Sequence, residues 1–156
     1  MTIEPIIRVQ SDEFSVDEEV KQLTGEKADI GAVVTFTGIC REEGGRLSAL
    51  ELEHYPGMAE AEMTVFAKQA IERFNLQGLL AIHRYGKIDV GKQIVLVAAA
   101  SRHRQAAFDG ANYFMDYLKT NAPFWKKEHA KNSEQSNWVS ARDADDHALS
   151  KWSKLD

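Results

Sequence analysis

The chain has 156 residues, a mass of 17.5 kDa and a formal net charge of −5 at pH 7. Its length predicts a single domain over residues 1–156, and its acidity argues against nucleic-acid binding, which needs a broad basic face. The single Cys40 excludes an internal disulfide framework and a multi-cysteine metal site, and no zinc-ligand spacing is present, so we expect no metal and no cofactor. No apolar run approaches the roughly 20 residues that span a bilayer, and the N-terminus lacks a signal-peptide core. We therefore expect a cytoplasmic protein without a membrane contact.

The first third of the chain predicts three strands and one helix. Ile6–Val9 is a strand candidate, and the capping-box pattern at Ser15–Glu18 predicts a helix over Val16–Leu23. The β-branched segment Gly31–Gly38 predicts a strand that continues into Ile39, Cys40 and Arg41. Leucine and glutamate alternate in Ala49–Tyr55, which is typical of a half-buried strand. We expect these last two strands to form a hairpin.

The middle of the chain predicts a helix followed by two strands. Apolar residues at helical spacing favour a helix over Met58–Asn75, and a strand is expected at Leu79–Tyr85. Gly86 and Gly91 bracket a segment that we interpret as turn-like. The continuous apolar run Ile94–Ala100 predicts a strand that is buried on both faces.

A second long helix is predicted after Ser101, and Asn121 and Pro123 should end it, because proline disfavours helical geometry in the residue before it. The remaining expectations are a short strand or arm at Phe124–Glu128, a loop at His129–Ser136, a strand at Trp138–Ser140 and a helix at Ala144–Trp152. This order of elements indicates an α+β fold with a mostly antiparallel sheet, two core helices and a C-terminal helix.

Positive charge is concentrated around the second long helix. The N-terminus of this helix carries Arg102, His103 and Arg104. Free N–H groups and the helix dipole at such a position favour binding of a phosphate or carboxylate. Lys119 lies near its end, and Lys126 and Lys127 follow, with Phe124 and Trp125 as candidate shields of Lys126. Burial or a neighbouring cation can turn a lysine into a nucleophile or an acid–base group. The alternatives are that Lys119 only complements the helix C-terminus and that the other two lysines are solvated.

Other reactive side chains have weaker patterns. Arg41 ends the first long strand, a common place for site residues. Strand alternation puts Cys40 on the opposite face from Arg41, which favours a small buried hydrophobe over a nucleophile. His54 and His83 lie inside strands without metal-ligand spacing, and we interpret both as structural.

Five stretches of the chain form a recognisable set: GAVVTFTG followed by Arg41, LEHYPGM (Leu52 to Met58), the segment from His83 to Gly86, His103-Arg104, and MDYLKTNAPFWKKE (Met115 to Glu128). Together they resemble the large, catalytic subunit of molybdopterin synthase over about Phe14 to Trp152. The resemblance implies a hammerhead-like α/β architecture. It also implies a sulfurtransferase that builds the dithiolene of the molybdenum cofactor on cyclic pyranopterin monophosphate. The sulfur would come from the Gly-Gly thiocarboxylate of a small ubiquitin-like subunit, in a heterotetramer built on a dimer of large subunits.

The resemblance also assigns roles to individual residues. It implies that Lys119 is the leading catalytic residue, with Lys126 assisting by proton transfer or charge stabilisation. It implies that both lysines also contact the substrate. The other implied substrate contacts are Ile39, Cys40, Arg41, His103, Arg104, Lys127 and Glu128. Where many relatives have a lysine two residues before the arginine, this chain has Ile39. Two other functions stay open, a non-catalytic module that binds phosphate or acidic peptide and an adaptor that only docks a ubiquitin-like protein.

Overall fold

The computed structural model describes residues 2–131, 136–139, 149–150 and 152. Within this part the chain forms three helices and eight strands, so the predicted α+β class is confirmed. The helices are α1 (Val16–Thr24), α2 (Met58–Phe74) and α3 (Arg104–Asn121). The strands are β1 (Ile6–Gln10), β2 (Ala32–Ile39), β3 (Leu47–His54), β4 (Gly78–Arg84), β5 (Gly86–Asp89), β6 (Gln93–Ser101), β7 (Phe124–Ala130) and β8 (Ser136–Val139).

The strands form two four-stranded sheets. The first sheet has the order β1-β4-β6-β2 and the second has the order β5-β3-β7-β8. Only the β1–β4 pair is parallel among the described strand pairs. The predicted hairpin of Gly31–Cys40 with Ala49–Tyr55 is wrong, because β2 pairs with β6 while β3 pairs with β5 and β7. The buried strand β6 needs a hydrogen-bonded strand on each edge, and β2 fills one edge. Strand β2 therefore does not pair with β3, although β3 follows it in the chain.

The segment between Gly86 and Gly91 was predicted as a turn, and this prediction is also wrong. Gly86–Asp89 is β5, which pairs with β3 in antiparallel register. Ile88 is 1% exposed and lies opposite Leu50 in the second sheet. A four-residue strand with one buried side chain has too little alternation to be recognised in a sequence. Gly86 has a φ of 88°, which lets the chain leave the first sheet immediately after β4.

Strand β6 is buried on both faces, as its apolar run predicts. Val95, Val97 and Ala99 pack into a core with α2 and α3, and the alternate residues Leu96 and Ala98 pack with Leu23 of α1 on the other side. Each face of the first sheet therefore carries helices.

Helix α3 ends as predicted. Ala122 has an extended backbone with φ −70° and ψ 133°, the geometry that a following Pro123 imposes. Strand β7 is longer than expected, since His129 and Ala130 belong to it rather than to the predicted loop. In the C-terminal region β8 overlaps the predicted strand at Trp138 and Val139, and Ser140 lies outside the described residues. The predicted helix over Ala144–Trp152 also lies outside them, apart from helical residues 149, 150 and 152.

Candidate active site

Lys119 and Lys126 lie on either side of the turn that joins α3 to β7. Lys119 is in the last turn of α3 and is exposed, whereas Lys126 is in β7 and is half-buried. Both positive charges act on one imidazole, that of the buried His83 at the end of β4. The pKa of His83 is lowered to about 3, mainly by burial and to a smaller extent by the charges of Lys126 and Lys119. The fold therefore brings the two sequence-predicted lysines to a common place.

Aromatic rings fill the space behind the lysines. His83 and Phe124 stack face to face, with ring centroids 3.7 Å apart and planes inclined by 12°. The ring of His54 stacks at 5.8 Å from Phe124 and lies 4.6 Å from Tyr85. Phe124 lies on the same face of β7 as Lys126. Trp125 lies on the opposite face, 44% exposed and edge-on to Tyr55, so it does not shield Lys126 as the sequence suggested.

The hydrogen bond of His83 defines its tautomer. Nδ1 lies 2.9 Å from the backbone oxygen of Arg84, and because a carbonyl only accepts, Nδ1 carries the proton. In the neutral ring Nε2 is then an unprotonated acceptor. Sequence reasoning gave His83 a structural role only. The available signal was its position just before Arg84-Tyr85-Gly86, where the chain changes sheets.

The segment Ile39–Arg41 lies at the same end of the first sheet as His83. Ile39 pairs with Gln93, and His83 pairs with Val95 of the same strand. The Ile39 side chain is 54% exposed, and the exposed Arg41 makes a 3.1 Å ion pair with Glu43.

Cys40 is buried on the other side of this segment. Its side chain is 1% exposed and packs with Leu47, Leu52 and Ile88. Burial raises the pKa of the Cys40 thiol, which keeps it protonated. The prediction that Cys40 faces away from Arg41 and behaves as a small hydrophobe is confirmed. As a buried thiol it is poorly placed for the substrate contact that the resemblance implied.

His103 and Arg104 lie at the opposite end of α3 from Lys119. His103 is the N-cap and makes no side-chain capping bond, and Arg104 is the first helical residue. The fifteen positions from Arg104 to Lys119 correspond to about 22 Å along the helix axis at 1.5 Å per residue. One copy of the chain therefore does not bring the two cationic groups of the predicted pocket together.

The N-terminal end of α3 is held against the start of β2. The Gly31 N–H donates to the Ser101 backbone oxygen at 2.9 Å, and a Cβ on Gly31 would lie 2.3 Å from the Arg102 oxygen. Arg102 also makes a 3.9 Å ion pair with Asp29. The cationic segment is therefore placed by close backbone contact.

Lys127 and Glu128 lie on different faces of the second sheet. Glu128 is opposite Leu50, on the face that carries Lys126, and it lines a cavity of about 200 Å³ with Glu43 and Arg46. Lys127 is opposite Glu51 on the other face. Of these two predicted contact residues, only Glu128 shares a face with Lys126.

No group of three or more histidine, cysteine or acidic side chains in the described part of the chain could hold a metal ion. Among the same residues, no helix is long and apolar enough to cross a membrane. The described fold defines an α+β protein, and its candidate site is a cationic one built around two lysines.

The comparisons with known proteins give the family. The model of the MoaE protein family matches residues 9–121. A molybdopterin synthase catalytic subunit of Rhizobium meliloti is 60% identical over 148 residues, which cover 95% of this chain and 96% of the relative. A solved MoaE protein from Burkholderia ambifaria, 41% identical, superposes with a TM-score of 0.83 over 96% of this chain and 98% of its own. A solved molybdopterin synthase from Staphylococcus aureus has 29% identity and a TM-score of 0.74, over 85% and 95% of the two chains. The chain therefore belongs to the MoaE family of molybdopterin synthase catalytic subunits, which are enzymes of molybdenum cofactor biosynthesis.

Proposed function

We propose that this chain transfers sulfur to cyclic pyranopterin monophosphate and so forms molybdopterin. The sulfur donor is the C-terminal thiocarboxylate of a small ubiquitin-like subunit. The observation that supports this reaction best is the placement of Lys119 and Lys126 on either side of the turn that leads into Phe124. Phe124 stacks on His83, at the end of the first sheet where Arg41 also lies. Residues 1–156 act as one catalytic domain, in the cytoplasm.

The two lysines have different surroundings, which suit different roles. Lys119 is exposed and makes no hydrogen bond or ion pair to the described residues, so its ammonium group is available to the donor and the substrate. Lys126 is half-buried on the strand that carries Phe124, which suits proton transfer or stabilisation of charge from a fixed place. A thiocarboxylate is anionic, and an ammonium group that stabilises charge developing in the transition state accelerates the reaction. Lys119 is the leading catalytic residue and Lys126 assists.

The phosphate of the substrate requires further cations. Arg41 can supply one from the same chain, because its ion pair with Glu43 is exposed and therefore weak. His103 and Arg104 supply the others from a second copy, because about 22 Å of helix separates Arg104 from Lys119 within one copy. The free N–H groups at the start of α3 add to the anion site. The assembly is a dimer of this chain with one small subunit at each end.

Conversion of the cyclic precursor by the purified protein and a thiocarboxylated small subunit tests this function. We expect molybdopterin to form with the thiocarboxylate and not with a matched small subunit that ends in an ordinary Gly-Gly carboxylate. Precursor binding without sulfur transfer would instead identify a binding module. Docking of the small subunit without precursor binding would identify an adaptor.

A further inference from the structure

The chain passes between the two sheets twice near the lysines, and the two passages meet. The first is at Tyr85, between the end of β4 in the first sheet and the start of β5 in the second. The second is at Ala122 and Pro123, between α3, which packs on the first sheet, and β7 in the second. His83 precedes the first passage and Phe124 follows the second. Their stacked rings therefore join the two halves of the fold.

Both partners of this stack are held firmly. His83 is 7% exposed, and its Nδ1–H donates to the Arg84 backbone oxygen. Arg84 is itself fixed, because its guanidinium donates to the backbone oxygens of Ser11 at 2.9 Å and Gln93 at 2.7 Å. Phe124 packs against the core under α2 and α3 and also against the core of the second sheet. The His83 ring is thus a fixed surface that sets the position of Phe124.

The position of Phe124 determines that of Lys126, because the two side chains are two residues apart on one face of β7. Lys119 belongs instead to α3, which packs on the first sheet. We propose that His83 is a positioning residue of the sulfur-transfer site, holding Phe124 so that Lys126 keeps a fixed place relative to Lys119. This inference rests on the proposed function, since it assigns a role relative to the two lysines. His83 itself need not touch the substrate.

The surrounding charges explain why an uncharged ring suits this position. His83 faces Lys126 from β7, Lys119 from α3 and the imidazole of His54 from β3, and Arg84 follows it in β4. A charged imidazole in the stack would repel both lysines, whereas a neutral imidazole packs against Phe124 without this repulsion. Burial keeps His83 in this neutral form.

Three substitutions separate the positioning role from simple packing. His83→Asn keeps a donor near the Nδ1 position and removes the ring, while His83→Phe keeps a ring and removes the donor. Phe74→Leu is the matched control. It removes an aromatic contact in the same core, where Phe74 lies 5.5 Å from Tyr113 and 5.9 Å from Trp152, outside the His83–Phe124 stack. If His83→Asn does not fold, Phe124→Leu removes the same stack from the other side.

We expect His83→Asn to lower kcat by on the order of a hundredfold with little change in the KM for the precursor, because small displacements of catalytic groups have effects of that size. His83→Phe should recover most of this loss, and Phe74→Leu should lower the melting temperature without lowering kcat. A folded His83→Asn protein with the kcat of the wild type would overturn the proposal. So would an equal loss in His83→Asn and His83→Phe, or a loss in Phe74→Leu as large as that in His83→Asn.

A second readout does not depend on turnover. With the lysines labelled by reductive ¹³C-methylation, NMR should show shifts of the Lys119 and Lys126 resonances in His83→Asn and unchanged resonances in Phe74→Leu. Unshifted lysine resonances in His83→Asn would contradict the positioning role. If the wild type fails to turn over or Lys119→Ala stays active, the proposed function fails, and the NMR result still decides whether His83 positions the lysines.

Discussion

Arg104 and Lys119 lie fifteen positions apart in one helix, so about 22 Å of helix axis separates them. This axial separation is fixed within a single copy as long as α3 remains one unbroken helix. Both groups carry positive charge that the proposed reaction uses, one for the phosphate and one for the sulfur transfer. We propose that the site that contains both takes Lys119 from one copy and Arg104 from its partner.

Mixed dimers test this arrangement. A heterodimer of one Arg104→Ala subunit and one Lys119→Ala subunit has one pocket with both groups and one pocket with neither. We expect such a heterodimer, isolated with two affinity tags, to show about half the turnover of the wild-type dimer. At a precursor concentration far below the Kd of the Arg104→Ala variant, where the turnovers are compared, each homodimer should be nearly inactive. A mixed dimer as inactive as the homodimers would show that each site is built from one chain, and a monomer by light scattering at micromolar concentration would remove the premise.

The arginines should contribute mainly to binding. Arg41→Ala and Arg104→Ala remove phosphate contacts that are similar in the ground state and the transition state, so they should weaken precursor binding more than they slow the bound-state reaction. Calorimetric titration with the precursor measures the affinity, and single-turnover kinetics measures the chemical step. Unchanged affinity in both variants would place the phosphate elsewhere.

Cys40 should be dispensable for sulfur transfer. Its side chain is 1% exposed and the raised pKa keeps the thiol protonated, so it is a poor sulfur acceptor. We expect Cys40→Ser to keep its turnover and to lose about 1–3 kcal/mol of stability, because a hydroxyl is buried in an apolar cluster. A persulfide on Cys40 detected by mass spectrometry during turnover would contradict this account.

Because His83 is neutral in the folded chain, the free energy of unfolding should depend on pH below about 6.5. Its pKa of about 3 in the folded chain lies below the ordinary value of 6.5, so between these values the unfolded chain binds a proton that the folded chain does not. Stability is therefore fully present above about pH 6.5 and falls as the pH falls towards 3, by up to about 1.4 kcal/mol per pH unit. Urea titrations of the wild type and His83→Phe from pH 4 to 7 should show a flatter dependence in the variant. Parallel curves for the two proteins would contradict the assignment.

Local sequence patterns predict which segments form helices and buried strands. They do not predict which strands pair when the partners are distant in sequence. The continuous apolar run of β6 and the Pro123 stop after α3 each indicate their structure directly. Strand β2 pairs with β6, which lies more than fifty residues further along the chain, so the sequence around β2 does not indicate this partner. Strand β5 becomes recognisable only once Ile88 is seen against Leu50.

The site shows the same limit. The clustering of Lys119 and Lys126 along the chain, together with the family motifs, points to the lysine pair. The role that we infer for His83 depends on a stack with Phe124, which is distant in sequence, so no spacing rule indicates it. The separation of Arg104 from Lys119 does follow from helix length alone, once α3 is recognised as one unbroken helix.

The most direct measurement of the central claim is turnover of the cyclic precursor by Lys119→Ala with a thiocarboxylated small subunit. Lys119 is exposed, so the free energy of unfolding of the variant should lie within about 0.5 kcal/mol of the wild-type value. Lys68→Ala, at an exposed lysine on α2, is the matched control. We predict that Lys119→Ala lowers turnover a hundredfold or more, which corresponds to roughly 3 kcal/mol of transition-state stabilisation. Turnover should fall less, but clearly, in Lys126→Ala and should not change in Lys68→Ala. Turnover of Lys119→Ala within a few-fold of the wild type would contradict the assignment.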